Sequence, residues 1–257
     1  MSFARLEQHR RLWREKPALP LVYAPWFELL IGQVERGARV LEVGAGPGFL
    51  QAFAAERRPD LRWIASDIHA AAWNDLAADA ARLPFRDGTL GAVLGLDLLH
   101  HLARPALFFA EASRVLGEGG LLVLVEPWIT PLSWPVFRFL HHEECRLGLD
   151  PWRPFPGDDK DSFEGDAAVP WRLARDTDAA RWRTLGLEPP SVHPLNGFAY
   201  LLSHGFRRGS LLPLRLAPAM IALDRSASAL APWTGMRAVL SWRRSERPAT
   251  AGTARPA

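Results

Sequence analysis

Short apolar runs alternate along this chain with stretches in which apolar residues recur every three or four positions, a pattern that predicts an α/β protein. Ahead of the first run, Phe3, Leu6 and Trp13 share one helical face, and Trp26, Phe27, Leu29 and Leu30 form another, with Pro17 and Pro20 between them. The pattern then predicts a strand over 39–43, a helix over 47–57, a strand over 61–66, a short helix near 69–75 and a brief strand over 76–78 ending at Asp79. Next come a strand over 90–96, a helix over 104–116, a turn at Gly117, Gly119 and Gly120, and the apolar run Leu121 to Val125. Strands that alternate with helices pair in parallel through right-handed crossovers. The expected fold is therefore a doubly wound, mostly parallel sheet with N-terminal helices, binding its ligands beyond the carboxyl ends of the strands.

After Pro127 the regularity stops. Residues 128–170 are rich in Trp, Pro, His and Asp, which predicts an inserted lid or a poorly ordered segment. Regularity resumes with a helix over 178–185, a strand near 187–193, an apolar segment over 198–223 and a strand around 237–242. The expected division is a helical cap over 1–36, a core over 37–127, an insertion over 128–174, the rest of the same α/β domain over 175–245, and a disordered tail over 246–257.

Composition narrows the partners. The 257 residues, 48% hydrophobic, suffice for one α/β core with additions. The 31 basic and 28 acidic residues leave a formal charge of +3, Lys16 and Lys160 are the only lysines, and no compact basic run interleaves with aromatics, so no nucleic-acid partner is expected. Cys145 stands alone, which suits a reducing compartment. The first sixteen residues are charged and amphipathic without an apolar signal core, and no apolar run approaches the ~20 residues of a membrane span. The expectation is a cytoplasmic protein. Leu211 to Leu223, broken by Pro213, Arg215 and Pro218, reads as a helix packed on the sheet, with peripheral membrane contact as its alternative; nothing in the pattern sets an oligomeric state.

The richest stretch is R-V-L-E-V-G-A-G-P-G-F-L, Arg39 to Leu50, which joins a buried strand to a helix through Gly44, Ala45, Gly46 and Gly48. Glycines there admit turn conformations closed to other residues and leave no Cβ between backbone and ligand, while Pro47 suits a first helical turn. Free N–H groups at the helix start are expected to face the ligand. A strand-to-helix connection of any α/β protein is the plainer reading, and Glu42 at the strand's end argues for more.

Five pieces in order, V-L-E-V-G-A-G-P-G at 40–48, A-S-D-I at 65–68, D-A-A-R-L-P-F at 79–85, L-H-H-L at 99–102 and R-V-L-G-E-G-G-L-L-V-L-V-E-P at 114–127, resemble the class I S-adenosylmethionine-dependent methyltransferases, methyltransferase type 11 in particular. A looser likeness extends to bacterial methyltransferases with a Y-L-L-S-G-G-like element, where this chain has Tyr200, Leu201, Leu202, Ser203 and then His204. The resemblance implies a Rossmann-like methyltransferase fold and S-adenosylmethionine as cofactor. It implies that Asp67 accepts the ribose hydroxyls, with a helix N-cap as the alternative, that Ile68 packs on the adenine, and that Asp79 and the Ala80 N–H meet the adenine amino group, with a turn aspartate as the alternative. Glu42 would brace the loop and receive the methionine ammonium, and Gly95, Leu96 and Asp97 would offer carbonyls to it. Asp97 stands where relatives are apolar and reads as an exposed loop carboxylate or a polar group at the site's mouth.

Imidazole titrates near neutrality, so His100 and His101 invite an acid–base reading; a bracing role is the alternative, and His101 is the one expected to face the sulfonium. His141, His142, Glu143, Glu144 and Cys145 are metal-type ligands, but consecutive residues diverge and only His141 with Cys145 has helical convergence, so no metal is assigned. The aromatics after the fifth strand fit a lid over a small-molecule, glycan or lipid-type acceptor, with His141, His142 and Glu143 orienting it and taking its proton. Two other readings stand: an NAD-dependent short-chain oxidoreductase, disfavoured because neither Tyr23 nor Tyr200 has a lysine four positions on, and a non-catalytic binding module on the same fold.

Overall fold

The computed structural model describes residues 2–141, 143–154 and 164–245; the tail expected to be disordered lies outside them. Two helices lead, α1 (Ser2–Glu15) and α2 (Ala18–Gly32). Pro17 caps α2, and Pro20 falls in its first turn, where a missing N–H breaks no helical bond, so proline separates the helices without shortening the second. Helix α2 buries Leu19, Val22, Tyr23, Trp26, Phe27, Leu30 and Ile31.

The core then runs β1 (Arg39–Val43), α3 (Phe49–Arg57), β2 (Arg62–Asp67), β3 (Leu76–Ala77), β4 (Leu90–Leu96), a 3-10 turn at Leu99–His101, α4 (Pro105–Val115) and β5 (Leu116–Pro127). A short helix α5 (Ser133–Pro135) continues as a π turn over Val136–Leu140 and is followed by α6 (Ala168–Ala174) and α7 (Ala179–Thr184). The chain closes with β6 (Ser191–Leu195), α8 (Phe198–Ser203), α9 (Ala217–Ser226), α10 (Ala231–Thr234) and β7 (Arg237–Arg243).

Among the described residues, seven strands form one sheet in the order β3-β2-β1-β4-β5-β7-β6. The pairs from β3 to β5 are parallel, and β7 runs antiparallel to both neighbours. This is the doubly wound, mostly parallel sheet expected. Strand order reverses between β1 and β4, so the crevice at their carboxyl ends is where such a sheet receives ligands. Helices cover both faces, which is why β4 and β5 read as nearly continuous apolar runs. One face packs Phe108, Phe109, Trp182 and Trp242, the other Tyr23, Trp26, Phe27, Leu30 and Val40. Edge strand β6 tolerates Pro194, since its outer side has no ladder partner.

Three expected elements differ. Residues 69–75 form no helix: Asp75 accepts from the Ala65 N–H at 2.7 Å, and Trp73 Nε1 and Asn74 Nδ2 donate to the Gly46 carbonyl at 2.8 and 3.3 Å, so this segment is spent on clamping β2 and the glycine loop. The glycines at 117–120 lie inside β5, where pairing jumps from Leu90↔Leu116 to Ala92↔Leu121; this bulge absorbs what reads as a turn. The expected strand near 187–193 begins later, at Ser191. No described helix is long and apolar enough to cross a membrane.

Candidate active site

The glycine loop leaves β1 at Gly44 and enters α3 at Gly48, with left-handed backbone at Gly44, Gly46 and Gly48. At Gly44, whose φ of +69° already favours glycine, a Cβ would lie 2.8 Å from Leu98 Cδ1 in the turn that follows β4. Three of the loop's N–H groups are bonded to the chain's own oxygens. Ala45 N–H donates to the Ser66 carbonyl at 2.9 Å, Gly46 N–H to Asp67 Oδ2 at 2.8 Å, and Gly48 N–H to the Ala45 carbonyl at 2.9 Å.

Acidic groups gather instead. Glu42 is buried and accepts from Trp63 Nε1 at 3.0 Å. Burial pushes its pKa up to about 8; the Trp63 indole and the Gln51 backbone N–H favour the ionised form, while the carboxylates of Asp67 and Asp75 oppose it. Asp67 is also buried, and its second oxygen accepts from the His69 N–H at 2.9 Å. Ile68 beside it is exposed. Asp79 accepts from the Ala81 N–H at 2.8 Å in a tight turn, next to buried Ala80, and Leu96 ends β4 half-buried.

Helix α1 lies over this loop. The Leu6 side chain faces Gly46, Arg10 donates to the Pro47 carbonyl at 2.7 Å and sits 4.4 Å from the Trp73 ring, and Phe3 stacks on Trp73. The stacked pair Trp13 and Phe49, 4.0 Å between centroids, anchors the helix to α3.

On the β4–β5 side the polar groups are of another kind. Glu126, fully buried near the end of β5, accepts from the N–H groups of Leu98 and Leu99 at 2.9 and 2.7 Å and contacts His100 Nδ1 at 2.6 Å. Burial disfavours the His100 cation, but the carboxylates of Glu126 and Glu143 outweigh it and leave the pKa raised. His101 sits in the same turn, its Nδ1 3.2 Å from the Glu164 carbonyl. Glu143 Oε2 is 3.5 Å from both His100 Nε2 and His141 Nδ1, and Oε1 is 3.7 Å from His101 Nε2. The structure thus brings His101, His141 and Glu143 together, whereas His142 lies outside the described residues. The His141–Cys145 pair is not helical: the π turn ends at Leu140, and Glu144 pairs in a β-bridge with Asp166. Burial pushes the Cys145 thiol up to about 11, so it is unreactive near neutrality.

Asp97 is no exposed loop carboxylate. It adopts left-handed backbone and pairs with Arg237, which is buried beneath the rings of Trp26 and Tyr200, each 4.8 Å away. Sequence reading missed Glu126 and Arg237 as site residues; the Glu-Pro that ends β5 was the available signal for the first, and nothing local marks the second. Lys16, one of only two lysines, donates to the carbonyls of Ser203, Gly205 and Arg207 at 2.6, 2.6 and 3.0 Å and closes the end of α8, where His204 takes the left-handed position otherwise suited to glycine.

The insertion splits in two. His141, Glu143 and residues 164–166 border the His–Glu group, with the Asp166 N–H donating to the His100 carbonyl at 3.0 Å, whereas Trp152 packs on Phe109 and Trp182 as part of the core.

A sheet of this order with an acidic glycine loop at its switch point defines a class, and comparison with known proteins agrees. Residues 41–124 match the model of the methyltransferase domain family. The chain is 31% identical over 127 residues to an uncharacterized methyltransferase of Mycolicibacterium vanbaalenii, covering 45% of this chain and 50% of that protein. It is 34% identical over 106 residues to the malonyl-[acyl-carrier protein] O-methyltransferase of Geobacter sulfurreducens, covering 36% and 40%. The chain spans about half the length of the first of these curated relatives and less of the second. Among solved structures, a Haloferax volcanii methyltransferase in complex with the Trm112 activator superposes with a TM-score of 0.57 at 11% identity over 95% of this chain and 96% of that one. A SAM-dependent methyltransferase of Archaeoglobus fulgidus gives 0.54 at 13% over 90% and 97%; both likenesses concern the fold. Over residues 41–124 the chain is thus similar to the methyltransferase domain family, and its fold is that of solved methyltransferases.

Proposed function

We propose that the chain transfers a methyl group from S-adenosylmethionine to a small-molecule acceptor, glycan and lipid types included. The observation that carries this reading is the chemistry of the glycine loop: the N–H groups of Ala45, Gly46 and Gly48 are bonded to the chain's own oxygens, and Glu42, Asp67 and Asp75 crowd beside it. Such a site suits a ligand with a cationic end and hydroxyl donors. It disfavours the diphosphate of NAD, which would meet the carboxylates of Asp67 and Asp75.

In this reading Glu42 takes the ammonium of the methionine moiety, Asp67 accepts the ribose hydroxyls on its remaining lone pairs, and Asp79, Ala80 and Ile68 receive the adenine. Gly44, Ala45, Gly46, Gly48 and Leu96 supply close backbone approach. When bound, the donor supplies a methyl already activated on sulfur. The chain's residues therefore orient the acceptor, exclude water and receive a proton where one is lost. As the acceptor's lone pair forms the new bond to carbon, the sulfur–carbon bond breaks and S-adenosylhomocysteine leaves. His101, His141 and Glu143 stand where an acceptor proton can be taken, and His142 completes the set expected from sequence. Exposed Leu211, Leu214, Leu216 and Leu223 beside Arg215 are the surface on which peripheral membrane contact, should the acceptor be a lipid, would rest.

The test is incubation of the full chain with methyl-labelled S-adenosylmethionine and fractionated cell extract, read by mass spectrometry. The reading expects S-adenosylhomocysteine to form in step with a product one methyl heavier. Donor binding without any turnover across all fractions would favour the non-catalytic binding module.

A further inference from the structure

Outside the cofactor side, the least explained chemistry in the molecule is the partly buried group of His100, His101 and Glu143, with His141 beside it. We propose that His100, His101 and Glu143 form a binding site for a divalent first-row transition-metal ion, with the Nε2 atoms of the two histidines and the Glu143 carboxylate as ligands. Sequence spacing assigned no metal, because the ligands come from two segments more than forty positions apart that meet only in the fold.

Tautomers come first. His100 Nδ1 lies 2.6 Å from Glu126 Oε2, and His101 Nδ1 lies 3.2 Å from the Glu164 carbonyl. A carboxylate and a carbonyl can only accept, so both rings carry a proton on Nδ1 and turn Nε2 toward Glu143, where an ion would take the place of an Nε2 proton. A buried carboxylate that fixes one ring nitrogen so that the other can bind an ion is the usual outer partner of a metal-bound histidine. Glu126 is itself held by the Leu98 and Leu99 N–H groups.

Spacing comes second. The separations of His100 Nε2, His101 Nε2 and His141 Nδ1 from the Glu143 oxygens are 3.5, 3.7 and 3.5 Å, longer than good hydrogen bonds, and the donor atoms of His100, His101 and Glu143 all lie within 4.8 Å of one another. Nitrogen and oxygen ligands about 2.0–2.2 Å from a tetrahedral ion sit about 3.4 Å from each other. The group has the spacing of ligands around one centre. A second combination, Asp97, His100 and Glu126, is geometrically compact, but Asp97 is paired with Arg237 and Glu126 is taken up by Leu98, Leu99 and His100.

The surroundings agree. At Gly165 a Cβ would stand 2.8 Å from His100 Cδ2 and 3.0 Å from Glu143 Cδ, so a glycine is what lets this segment close over the group. His101 and His141 keep side-chain exposures of 20% and 25%, which leaves a way in for an ion and for a further ligand. Imidazole with carboxylate suits zinc, iron, manganese or cobalt better than magnesium. Resting on the methyltransferase reading, an ion here would take a hydroxyl oxygen of the acceptor and lower its pKa, with His101 and Glu143 then acting as ligands in place of taking the proton themselves.

The test is titration of the full chain, stripped with chelator, with Zn2+ by calorimetry and with Co2+ by visible absorption, alongside S-adenosylmethionine binding on the same samples. The expected result is one Zn2+ per chain, a cobalt spectrum of low-symmetry nitrogen and oxygen ligation, and at least a tenfold loss of Zn2+ affinity in H101A and in E143Q, with donor affinity and folding by circular dichroism unchanged. His193→Ala, at the exposed edge of the sheet, should leave Zn2+ binding intact. Folded chain that takes up no stoichiometric Zn2+, or Zn2+ affinity that survives both H101A and E143Q, overturns the site. Zn2+ binding without donor binding would overturn the methyltransferase reading and leave the metal site standing.

Discussion

The two halves of the crevice are built from different materials. On the β1–β2 side, backbone turns and short-range clamps make the site: Gly46 N–H to Asp67, Trp73 and Asn74 to the Gly46 carbonyl, all within a segment of about thirty residues. On the β4–β5 side, isolated side chains from distant segments make it, with His100 bonded to Glu126, Glu143 reaching both histidines of the turn, and Asp97 paired with Arg237 across 140 positions. The first half can be held in place before the rest of the fold forms its longest contacts. The second exists only once β7 and the insertion have docked. A local construction can recur from chain to chain, whereas the second half is assembled anew from each chain's additions.

The largest expected effect lies on the assembled side. Glu126→Ala removes the acceptor for two backbone N–H groups and the partner of His100 in a fully buried place. Breaking such a pair costs about 3–5 kcal/mol, so chemical denaturation should show a loss of that size. A loss below about 1 kcal/mol would mean that water or a rearranged turn replaces the carboxylate, and the contrast between the halves would weaken.

Next is Asp67→Ala on the donor side. It removes the clamp on Gly46 and His69 and the proposed ribose acceptor together, and S-adenosylmethionine affinity should fall by about 1.5–3 kcal/mol while the fold survives. An unchanged dissociation constant in a folded variant would remove Asp67 from the site.

A third effect is read in protons. Glu42 has its pKa raised from an ordinary 4.5 to about 8, so between those values the folded chain holds a proton that the unfolded chain has lost. Its contribution to stability is therefore complete below about pH 4.5 and is lost as pH rises through about 8. A cationic ligand beside it favours the ionised form, so donor binding in that window should release up to one proton. Calorimetry in buffers of different ionisation enthalpy measures this directly, and proton uptake on binding would contradict the ammonium role. The smallest effect is that of Trp63→Phe, which deletes the indole donor to Glu42. It should weaken donor binding by about 0.5–1.5 kcal/mol and move the proton release to higher pH.

How much could be read from sequence follows the same divide. Strands β1 and β4 fall where the apolar runs predict them, because a strand covered on both faces leaves an uninterrupted signature. The glycine loop, Glu42 and Asp67 announce themselves because their spacing along the chain is their spacing in the site. What the loop does with its N–H groups was not legible, since that depends on Ser66 and Asp67 arriving from β2. Residues 69–75 mislead in the same way: their side chains are committed to Gly46 and Ala65, which periodicity cannot express. His141 and Cys145 share a helical spacing, but the turn ends one residue before them and the pair never forms. Arg237 sits in an apolar strand and gains meaning only from Asp97, Trp26 and Tyr200 around it.

The central claim is that the glycine loop and its carboxylates form a site for a cationic adenosyl ligand. Titration calorimetry of the full chain with S-adenosylmethionine, S-adenosylhomocysteine and NAD under one set of conditions tests it most directly. The account predicts saturable binding of the two adenosyl ligands, weakened in both cases by Asp67→Ala, with NAD bound at least a hundredfold more weakly, a gap of about 2.7 kcal/mol. NAD binding equal to or tighter than that of S-adenosylmethionine would contradict it.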